Sequence, residues 1–349
     1  MLPKTIEWKN GLVRLIDQTK LPSKLEFIEC KNAERIASAI RNMEIRGAPA
    51  IGAAAAMALA LTAYHSKAES ADKLMKELKE AAELIRSTRP TAKNLFWAVE
   101  RVLNAAEKCH DNLNSMVKAV IDEALRIAEE DVEANLAIGM HGAQLIDDGD
   151  TILTYCNAGS LATVYYGTAL GVIRAAWTQG KKIRVIAPET RPKLQGARLT
   201  CFELLEEGIP VTLITDNSIG FLMQKGKIDK VIVGADRILQ DGTTYNKIGT
   251  YTIAVLAEKH GIPFYVAAPT STFDLTSTRD QVKIEERSPD EVRRICGCQI
   301  APERVNVINY AFDMTPPELI TAIITEVGVI RPPYRESIAE IMGKAGQVS

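Results

Sequence analysis

The stretch TILTYCNAGS, residues 151–160, is the first of several segments that decide the fold. It opens with a short apolar run, ends in polar residues and glycine, and precedes a helical pattern. Four more runs of this kind follow, at 183–188, 211–215, 230–235 and 263–268. Short buried strands that alternate with helices are typical of a parallel, doubly wound sheet. We predict an α/β fold in which a strand near 305–308 and a helix over about 317–327 complete this sheet.

The residues before this sheet follow a different pattern. Between Thr5 and Asp17, apolar and polar residues alternate around Asn10-Gly11, a dipeptide suited to the positive φ angles of a tight hairpin turn. From Ala33 to about Ile146, hydrophobic residues recur with helical spacing. We therefore predict a smaller, mostly helical N-terminal domain over 1–130, opened by a short β hairpin. Its long last helix runs to about 146, and a second domain covers 147–349.

Composition limits the classes of partner. The 349 residues suffice for two domains of roughly 150 residues each. With 44 acidic and 42 basic side chains the formal charge is -2, which leaves no excess field for nucleic acid or an anionic membrane. The start MLPKTIEWKN does not resemble a secretory signal, and the longest apolar stretch, 48–61, is shorter than a membrane span of about 20 residues. We expect a cytoplasmic protein with reduced cysteines that binds small molecules or other proteins.

Polar residues follow all five predicted strands. In an open parallel sheet, ligands bind beyond the carboxyl ends of the strands, so these residues are the first candidates for a site. They are Cys156-Asn157-Ala158-Gly159, Glu189-Thr190-Arg191-Pro192, Asp216-Asn217-Ser218, Asp236-Arg237 and Pro269-Thr270-Ser271.

Cys156 and Asp236 are the two candidates with suitable chemistry for catalysis. Cys156 precedes a predicted helix start, where the helix dipole and free N–H groups favour a thiolate; the alternative is a small buried hydrophobic residue. Asp236 follows the apolar run 231–235, and burial would raise the pKa of its carboxyl group and let it donate a proton near neutrality. A helix N-cap, or an ion pair with Arg237, is the alternative. Acids at two other strand ends occupy similar positions.

The segment RGAPAIG, residues 46–52, carries the features of a phosphate site. Pro49 marks a helix start, and Gly47 would let an anion approach the free N–H groups there. Arg46 adds a charged donor at the same point, and Arg89 precedes another predicted helix start and could complete a clamp. For either arginine, the alternative is a solvated charge at a helix end.

Several motifs that bind cofactors do not occur in this sequence. No G-x-G-x-x-G follows the first strand, there is no Walker A loop and no H-E-x-x-H, and the four histidines are scattered. We predict neither a nucleotide cofactor nor a metal.

Several motifs together resemble the methylthioribose-1-phosphate isomerase family. They are RGAPAIG at 46–52, STRPTAKNL at 87–95, CNAGSLAT at 156–163, ETRPKLQGARLT at 189–200, GADRI at 234–238 and NKIGTY at 246–251. The similarity continues through APTSTFD at 268–274, IEERSP at 284–289 and ITAIITEVGVIRPPY at 320–334. Each motif alone is weak, but nearly the whole chain follows the family in order and spacing. Ser160, where Ala or Gly is expected, is a small departure that could mark a subgroup with altered substrate preference.

The resemblance implies a fold, an activity and site residues. The fold is a small N-terminal domain joined to a Rossmann-like C-terminal domain, in a homodimer. The activity is the aldose–ketose isomerisation of S-methyl-5-thio-α-D-ribose 1-phosphate to its ribulose isomer, in methionine salvage. The implied catalytic residues are Cys156 and Asp236. The implied substrate-binding residues are Arg46, Gly47, Ala48, Arg89, Gln195, Asn246 and Lys247.

The substrate of this family explains the need for a thiol and an acid. An aldose esterified at its anomeric oxygen opens only when its ring oxygen is protonated, a task for Asp236. The Cys156 thiolate would then move a proton from C2 to C1, or assist a hydride shift. Related isomerases of 5-deoxyribose 1-phosphate or ribose 1,5-bisphosphate would share this pair. The regulatory α, β and δ subunits of the eukaryotic translation-initiation guanine-nucleotide exchange factor share the fold, and that alternative predicts loss of the pair.

Overall fold

The computed structural model describes residues 2–89 and 92–348, with side chains up to residue 343. The chain forms two compact units. The N-terminal unit consists of residues 2–136 and 159–167, and the C-terminal unit consists of residues 137–158 and the residues from 168 onward. A helical N-terminal region and a mostly parallel sheet confirm the predicted mixed α/β class.

A small antiparallel sheet opens the N-terminal unit. Its strands β1 (Ile6–Trp8), β2 (Val13–Ile16) and β3 (Phe27–Cys30) lie in chain order. Asn10 and Gly11 adopt φ angles of 49° and 82° between the first two strands, so the predicted hairpin is confirmed. The third strand was not predicted.

Five helices follow, and the second is the centre of the unit. The helices are α1 (Ala33–Arg41), α2 (Ala48–His65), α3 (Ala71–Arg86), α4 (Lys93–Glu107) and α5 (Leu113–Ala143). By length and composition alone α2 could cross a membrane, so the expectation that the longest apolar stretch is too short was wrong. However, 72% of α2 is buried inside the protein, where α1, α3 and α4 pack around it. A helix that is apolar on all sides and surrounded by other helices is typical of a protein core.

The main sheet of the C-terminal unit has seven strands in the order β16-β15-β10-β7-β4-β5-β6. All neighbours pair in parallel except the edge strand β16. The strands are β4 (Thr151–Leu153), β5 (Arg184–Pro188), β6 (Val211–Ile214), β7 (Lys230–Val233), β10 (Phe264–Ala267), β15 (Ala322–Thr325) and β16 (Gly328–Ile330). The five predicted strands are therefore confirmed, each one to three residues shorter than predicted, but β6 lies at the edge of the sheet and is partly exposed rather than buried.

Helices accompany the strands of this unit, and the last of them follows the final strand, β16. They are α6 (Ala169–Thr178), α7 (Cys201–Glu206), α8 (Ile219–Gln224), α9 (Thr250–His260), the short α10 (Asp290–Arg293) and α11 (Tyr334–Val348). A π-helical segment, Gly196–Thr200, leads directly into α7.

The end of the predicted sheet was assigned wrongly. Residues 305–308 form no strand, since Val305 and Ile308 are exposed and offer no buried face. The predicted helix over 317–327 is instead a 3₁₀ turn, Pro317–Leu319, followed by β15, whose four residues are all buried. A short apolar run fits a buried strand as well as a buried helix segment, and here two neighbouring strands decide the outcome.

A second sheet in the C-terminal unit was not predicted. It has the order β11-β8-β9-β14, formed by β8 (Arg237–Leu239), β9 (Thr244–Lys247), β11 (Phe273–Asp274) and β14 (Phe312–Thr315). A separate hairpin pairs β12 (Arg294–Ile295) with β13 (Cys298–Gln299). The second sheet matters for the site because β8 begins directly after Asp236.

Candidate active site

Cys156 and Asp236 follow neighbouring strands of the main sheet. Strands β4 and β7 pair in parallel, so the segments after them leave the same edge side by side. The two segments also touch: a Cβ atom on Gly234 would lie 2.7 Å from the Cβ of Ala158. Fold topology therefore places the segments that hold Cys156 and Asp236 side by side.

The backbone of Cys156 is held in an unusual conformation. Its φ angle is 60°, in the left-handed region that non-glycine residues rarely adopt. The N–H of Cys156 donates to Thr190 Oγ1 at 3.0 Å, and its carbonyl oxygen accepts from Thr200 Oγ1 at 2.6 Å. Such backbone strain persists only where the surroundings fix it, and it is common at functional sites. The side chain of Cys156 is partly exposed.

Two other cysteines differ sharply from Cys156. Cys30 and Cys201 are buried, and burial raises the pKa of each thiol to about 11. Because the thiolate is the reactive form, these two residues are inert structural cysteines.

Asp236 lies at the start of a hairpin in which β9 pairs with β8 and ends beside Asp236. Its N–H donates to the carbonyl oxygen of Tyr245 at 2.9 Å, next to Asn246. The residue leads into strand β8, which excludes the alternative that it caps a helix. Nη1 of the adjacent Arg237 donates to Asp274 Oδ2 at 3.0 Å. The hairpin thus brings Asn246 close to Asp236.

Asn246 and Lys247 are buried at the end of β9, and both side chains have fixed positions. Asn246 Nδ2 donates to Thr250 Oγ1 at 3.0 Å. Lys247 Nζ donates to the carbonyl oxygen of Ala311 at 3.0 Å and lies 5.0 Å from the centroid of the Phe312 ring. Asn246 therefore lies beside Asp236, whereas the Lys247 cation is held against Ala311 and Phe312.

Gln195 lies between β5 and the π-helical segment, and it is only 3% exposed. Its Oε1 has no hydrogen-bond partner within the part of the chain that the structure describes. The neighbouring Gly196 is packed tightly, because a Cβ there would lie 1.8 Å from the carbonyl oxygen of Pro188. A buried acceptor without a donor costs free energy, so Gln195 has the properties of a ligand-binding group.

Asp216 occupies a strand end but is engaged with the backbone. Its two carboxylate oxygens accept from the N–H groups of Thr190 and Arg191, each at 2.7 Å. It therefore supports the loop that contacts Cys156 and is a poor candidate for a proton donor.

Sequence reasoning missed Asp313, on strand β14. It accepts from the N–H groups of Gly249 at 2.6 Å and Tyr251 at 3.1 Å, at the start of α9. Burial raises the pKa of this carboxyl group to about 6, against the effects of these bonds and of Lys247. Nothing in the run FDMT distinguishes this aspartate, since its role depends on residues from another element.

Tyr155 is a second residue that the sequence did not single out. It precedes Cys156 and is buried, and burial raises the pKa of its hydroxyl group well above the ordinary range. A Cβ on Gly249 would lie 2.4 Å from Tyr155 Oη. Gly249, with a φ angle of 104°, therefore has both a conformational and a steric reason to be glycine.

Arg46, Gly47 and Ala48 lie at the start of α2 in the N-terminal unit. Gly47 is the N-cap, and Ala48 is the first helical residue. Pro49 is the second helical residue, whereas the sequence predicted it at the first position. No side chain caps this helix, and its first turn has no acidic residue. The first amides of a helix have no partners within it, so this end is suited to an anion, with the buried Arg46 beside it.

Arg89 follows α3 in the same unit. The next two residues of its motif, Pro90 and Thr91, lie outside the described residues. The first turn of α4 lies against α2, since a Cβ on Gly52 would be 3.1 Å from the carbonyl oxygen of Asn94. The second turn of α2 therefore packs against the first turn of α4, and each helix is preceded by an arginine from the predicted clamp.

The chain is similar to known proteins over most of its length. The model of the initiation factor 2 subunit family matches residues 44–332. A methylthioribose-1-phosphate isomerase of Thermosipho melanesiensis is 55% identical over 338 residues, which cover 97% of each chain. The chain belongs to the methylthioribose-1-phosphate isomerase group of this family.

Two solved structures resemble this member of the isomerase group over nearly its full length. The 5-methylthioribose 1-phosphate isomerase of Pyrococcus horikoshii is 46% identical, covers 98% of this chain and 96% of its own, and superposes with a TM-score of 0.93. A protein described as translation initiation factor eIF-2B, subunit delta, from A. fulgidus is 55% identical, covers 98% and 100%, and has a TM-score of 0.88. Because both names occur among such similar chains, site chemistry must separate the two functions.

The histidines of this isomerase-group chain serve separate structural contacts. His65 Nε2 lies 2.8 Å from the carbonyl oxygen of Gly11, and His141 Nδ1 lies 2.9 Å from that of Thr325. Among the described residues, no group of three or more His, Cys, Asp or Glu side chains could hold a metal ion.

Proposed function

We propose that this protein isomerises S-methyl-5-thio-α-D-ribose 1-phosphate to S-methyl-5-thio-D-ribulose 1-phosphate, as an intramolecular oxidoreductase of methionine salvage. One observation carries the proposal: Cys156 and Asp236 follow neighbouring parallel strands, and the segments that hold them are in contact. Sequence identities of 55% and 46% to two proteins named as isomerases of this sugar phosphate, over nearly the whole chain, support this substrate.

Each of the two residues has one task. Asp236 protonates the ring oxygen as the bond from that oxygen to C1 breaks, which opens the sugar. The Cys156 thiolate then takes the proton from C2, and the electrons of that C–H bond form the C1=C2 bond of a cis-phosphoenolate. The Cys156 thiol then returns the proton to C1, and the hydroxyl group on C2 gives its proton to the Asp236 carboxylate, which leaves the ketone at C2 and restores both side chains. Apolar surroundings that exclude water would strengthen each step.

The phosphate is assigned to the start of α2. Arg46, the backbone amides of Gly47 and Ala48, and Arg89 would hold it, with two guanidinium groups suited to bidentate binding. The uncapped helix end and the burial of Arg46 support this assignment.

The remaining predicted residues are assigned to the sugar and its charges. Gln195 has a buried acceptor that a substrate hydroxyl could satisfy. Asn246 offers an amide close to Asp236, and Lys247 offers a buried cation from the same strand. Together they would orient the open-chain sugar between the acid and the thiol.

The wider setting of the proposal follows from the fold and the composition. We assign residues 147–349 to a Rossmann-like catalytic domain and residues 1–130, with the helix that follows, to a smaller domain. The run of parallel strands with connecting helices supports the first assignment. The formal charge of -2 disfavours a nucleic-acid or membrane partner, and we further propose a homodimer in the cytoplasm without a nucleotide or metal.

Two alternatives share this fold. A regulatory translation-factor subunit is favoured by the description of the A. fulgidus structure and disfavoured by the presence of both Cys156 and Asp236. Isomerases of 5-deoxyribose 1-phosphate or ribose 1,5-bisphosphate would keep the same pair and differ in the pocket for the C5 substituent.

The test offers the three sugar phosphates separately to the purified protein and follows ketose formation by NMR. The proposal requires the highest kcat/KM for the methylthio sugar and loss of most turnover in Cys156→Ser and Asp236→Asn. A preference for the bisphosphate would keep the mechanism and change the substrate. If none of the three sugars reacts, the regulatory alternative is favoured. With substrate deuterated at C2, loss of label to water indicates proton transfer, and label retained at C1 indicates a hydride shift.

A further inference from the structure

A buried charged cluster lies beneath the Cys156 segment in the C-terminal unit. Arg174 of α6 is 1% exposed and lies between the carboxylates of Glu203 in α7 and Glu207, the C-cap of that helix. Its Nη2 donates to Glu203 Oε2 and its Nε donates to Glu207 Oε2, each at 2.6 Å. Two carboxylates with one guanidinium leave a net negative charge, which is costly to bury unless further donors satisfy it.

The further donor is Asn157, the residue after Cys156. Its Nδ2 donates to Glu203 Oε1 at 2.8 Å and lies 3.2 Å from Thr200 Oγ1. The Thr200 hydroxyl in turn donates to the carbonyl oxygen of Cys156 at 2.6 Å. A continuous chain of hydrogen bonds therefore joins Glu203 to the backbone of Cys156.

We propose that Glu203, acting through Asn157 and Thr200, is a positioning residue that holds Cys156 in its left-handed conformation. This inference rests on the proposed function, in which Cys156 takes a proton from the substrate. A φ angle of 60° in a non-glycine residue costs about 1–3 kcal/mol and needs surroundings that enforce it. Glu203 supplies that enforcement without touching the substrate.

Charge alone does not explain why Glu203 contacts Asn157. Arg174 is already neutralised by Glu207, whose carboxylate also accepts from Nη2 at 2.9 Å. A second buried carboxylate leaves one negative charge without a cation, so charge balance with Arg174 does not by itself require Glu203. The geometry points instead to orientation of the Asn157 amide, which fixes the direction of the chain directly after Cys156.

Glu207 provides a matched control. It lies four residues after Glu203 as the C-cap of α7, its side chain is 8% exposed against 0% for Glu203, and it binds the same arginine. Among the described residues, its carboxylate accepts hydrogen bonds from Arg174 and none from Asn157 or Thr200. Replacing either glutamate by glutamine removes one charge from the cluster, but only the change at Glu203 affects the chain to Cys156.

The experiment compares Glu203→Gln with Glu207→Gln, and Thr200→Val with the conservative Thr200→Ser, in the full-length protein. Misplacement of a catalytic group by about 1 Å costs on the order of 100-fold in rate. We therefore expect kcat to fall roughly 10- to 100-fold in Glu203→Gln and Thr200→Val, with KM little changed because substrate contacts remain. Glu207→Gln and Thr200→Ser should retain nearly the wild-type kcat.

Hydrogen exchange of the peptide covering residues 154–158 gives a measure that does not need turnover. Exchange should be faster in Glu203→Gln and Thr200→Val than in their controls, because the segment opens locally. Equal losses of kcat in the two glutamine variants, or unchanged exchange, would overturn the inference. A wild type without isomerase activity would refute the proposed function, and exchange would still decide whether Glu203 holds this segment. If Glu203→Gln does not fold, the threonine pair carries the test.

Discussion

A Cβ atom on Gly47 would lie 2.4 Å from the carbonyl oxygen of Ala162, within the N-terminal unit. Gly47 also has a φ angle of 95°. Backbone conformation and close packing therefore both require glycine at this position. The sequence had suggested a different reason, access for an anion.

The first prediction concerns Gly47→Ala, which should destabilise the protein by about 2–5 kcal/mol. The left-handed conformation contributes about 1–2 kcal/mol, and the overlap with Ala162 contributes about 1–3 kcal/mol. Denaturant unfolding measures the change. Gly149→Ala is the matched control, since its φ angle is 92° and no atom lies within 4 Å of the added Cβ. Equal losses in the two variants would mean that the contact with Ala162 is unimportant.

The second prediction concerns Gln195→Leu. The variant loses a buried acceptor that has no partner, so its unfolding free energy should stay unchanged or rise slightly. If Gln195 binds substrate, kcat/KM should fall roughly tenfold, which corresponds to a hydrogen bond of about 1.4 kcal/mol. Steady-state kinetics and thermal unfolding test both parts.

Thr154→Val is the control for Gln195→Leu. Thr154 Oγ1 is also buried without a partner among the described residues, but Thr154 is not a predicted substrate ligand. Its replacement should leave kcat/KM unchanged. A similar loss of kcat/KM in both variants would indicate repacking of the sheet edge rather than a lost substrate contact.

The third prediction concerns the order of cysteine alkylation. At pH 8, iodoacetamide should modify Cys156 in the folded protein while Cys30 and Cys201 stay unmodified, because burial raises the pKa of those thiols to about 11 and shields them. Peptide mass spectrometry identifies the sites, and the denatured protein shows that all three can react. Loss of activity should follow modification of Cys156. Faster modification of Cys201 than of Cys156 would contradict the prediction.

The hairpin turn and the five strands could be predicted because each depends on residues that are neighbours in the sequence. The Asn10-Gly11 dipeptide selects the positive φ angles of its turn, and each of the five predicted strands is a short apolar run. The second sheet gave no such signal, because β9 consists of Thr244–Lys247, four polar or amphipathic residues that are all buried. Their burial depends on β14, which is distant in sequence, and no local periodicity records it.

The candidate site also contains residues that the sequence indicated and residues that it did not. Cys156 and Asp236 were candidates because they follow strands of a parallel sheet, but position could not choose Asp236 over Glu189 and Asp216, and the family resemblance selected the pair. Gln195, Asn246 and Lys247 came from the family resemblance alone. Glu203 and Asp313 escaped because their functions consist of contacts to Asn157 and Gly249, made only after folding.

The last prediction concerns the pH dependence of stability through Asp131, a partly buried residue of α5. Its Oδ2 accepts from the N–H of Val164 at 2.7 Å, and burial raises the pKa of its carboxyl group to about 7 from an ordinary value of 3.8. The folded state therefore binds the proton more tightly than the unfolded state. The stabilising contribution is complete below about pH 4 and is lost as pH rises through about 7.

Asp131→Asn should remove this dependence, because asparagine resembles the protonated acid and can still accept from Val164. Each pKa unit corresponds to about 1.4 kcal/mol, so the variant should exceed the wild type at pH 8 by at most about 4 kcal/mol. The difference should vanish near pH 4. Urea unfolding across this range measures it, with Asp122→Asn on the exposed face of α5 as the control for loss of a carboxylate. A wild type that is more stable than Asp131→Asn at pH 8 would show that the ionised carboxylate stabilises the loop, since the bond to Val164 would then outweigh the cost of burying the charge.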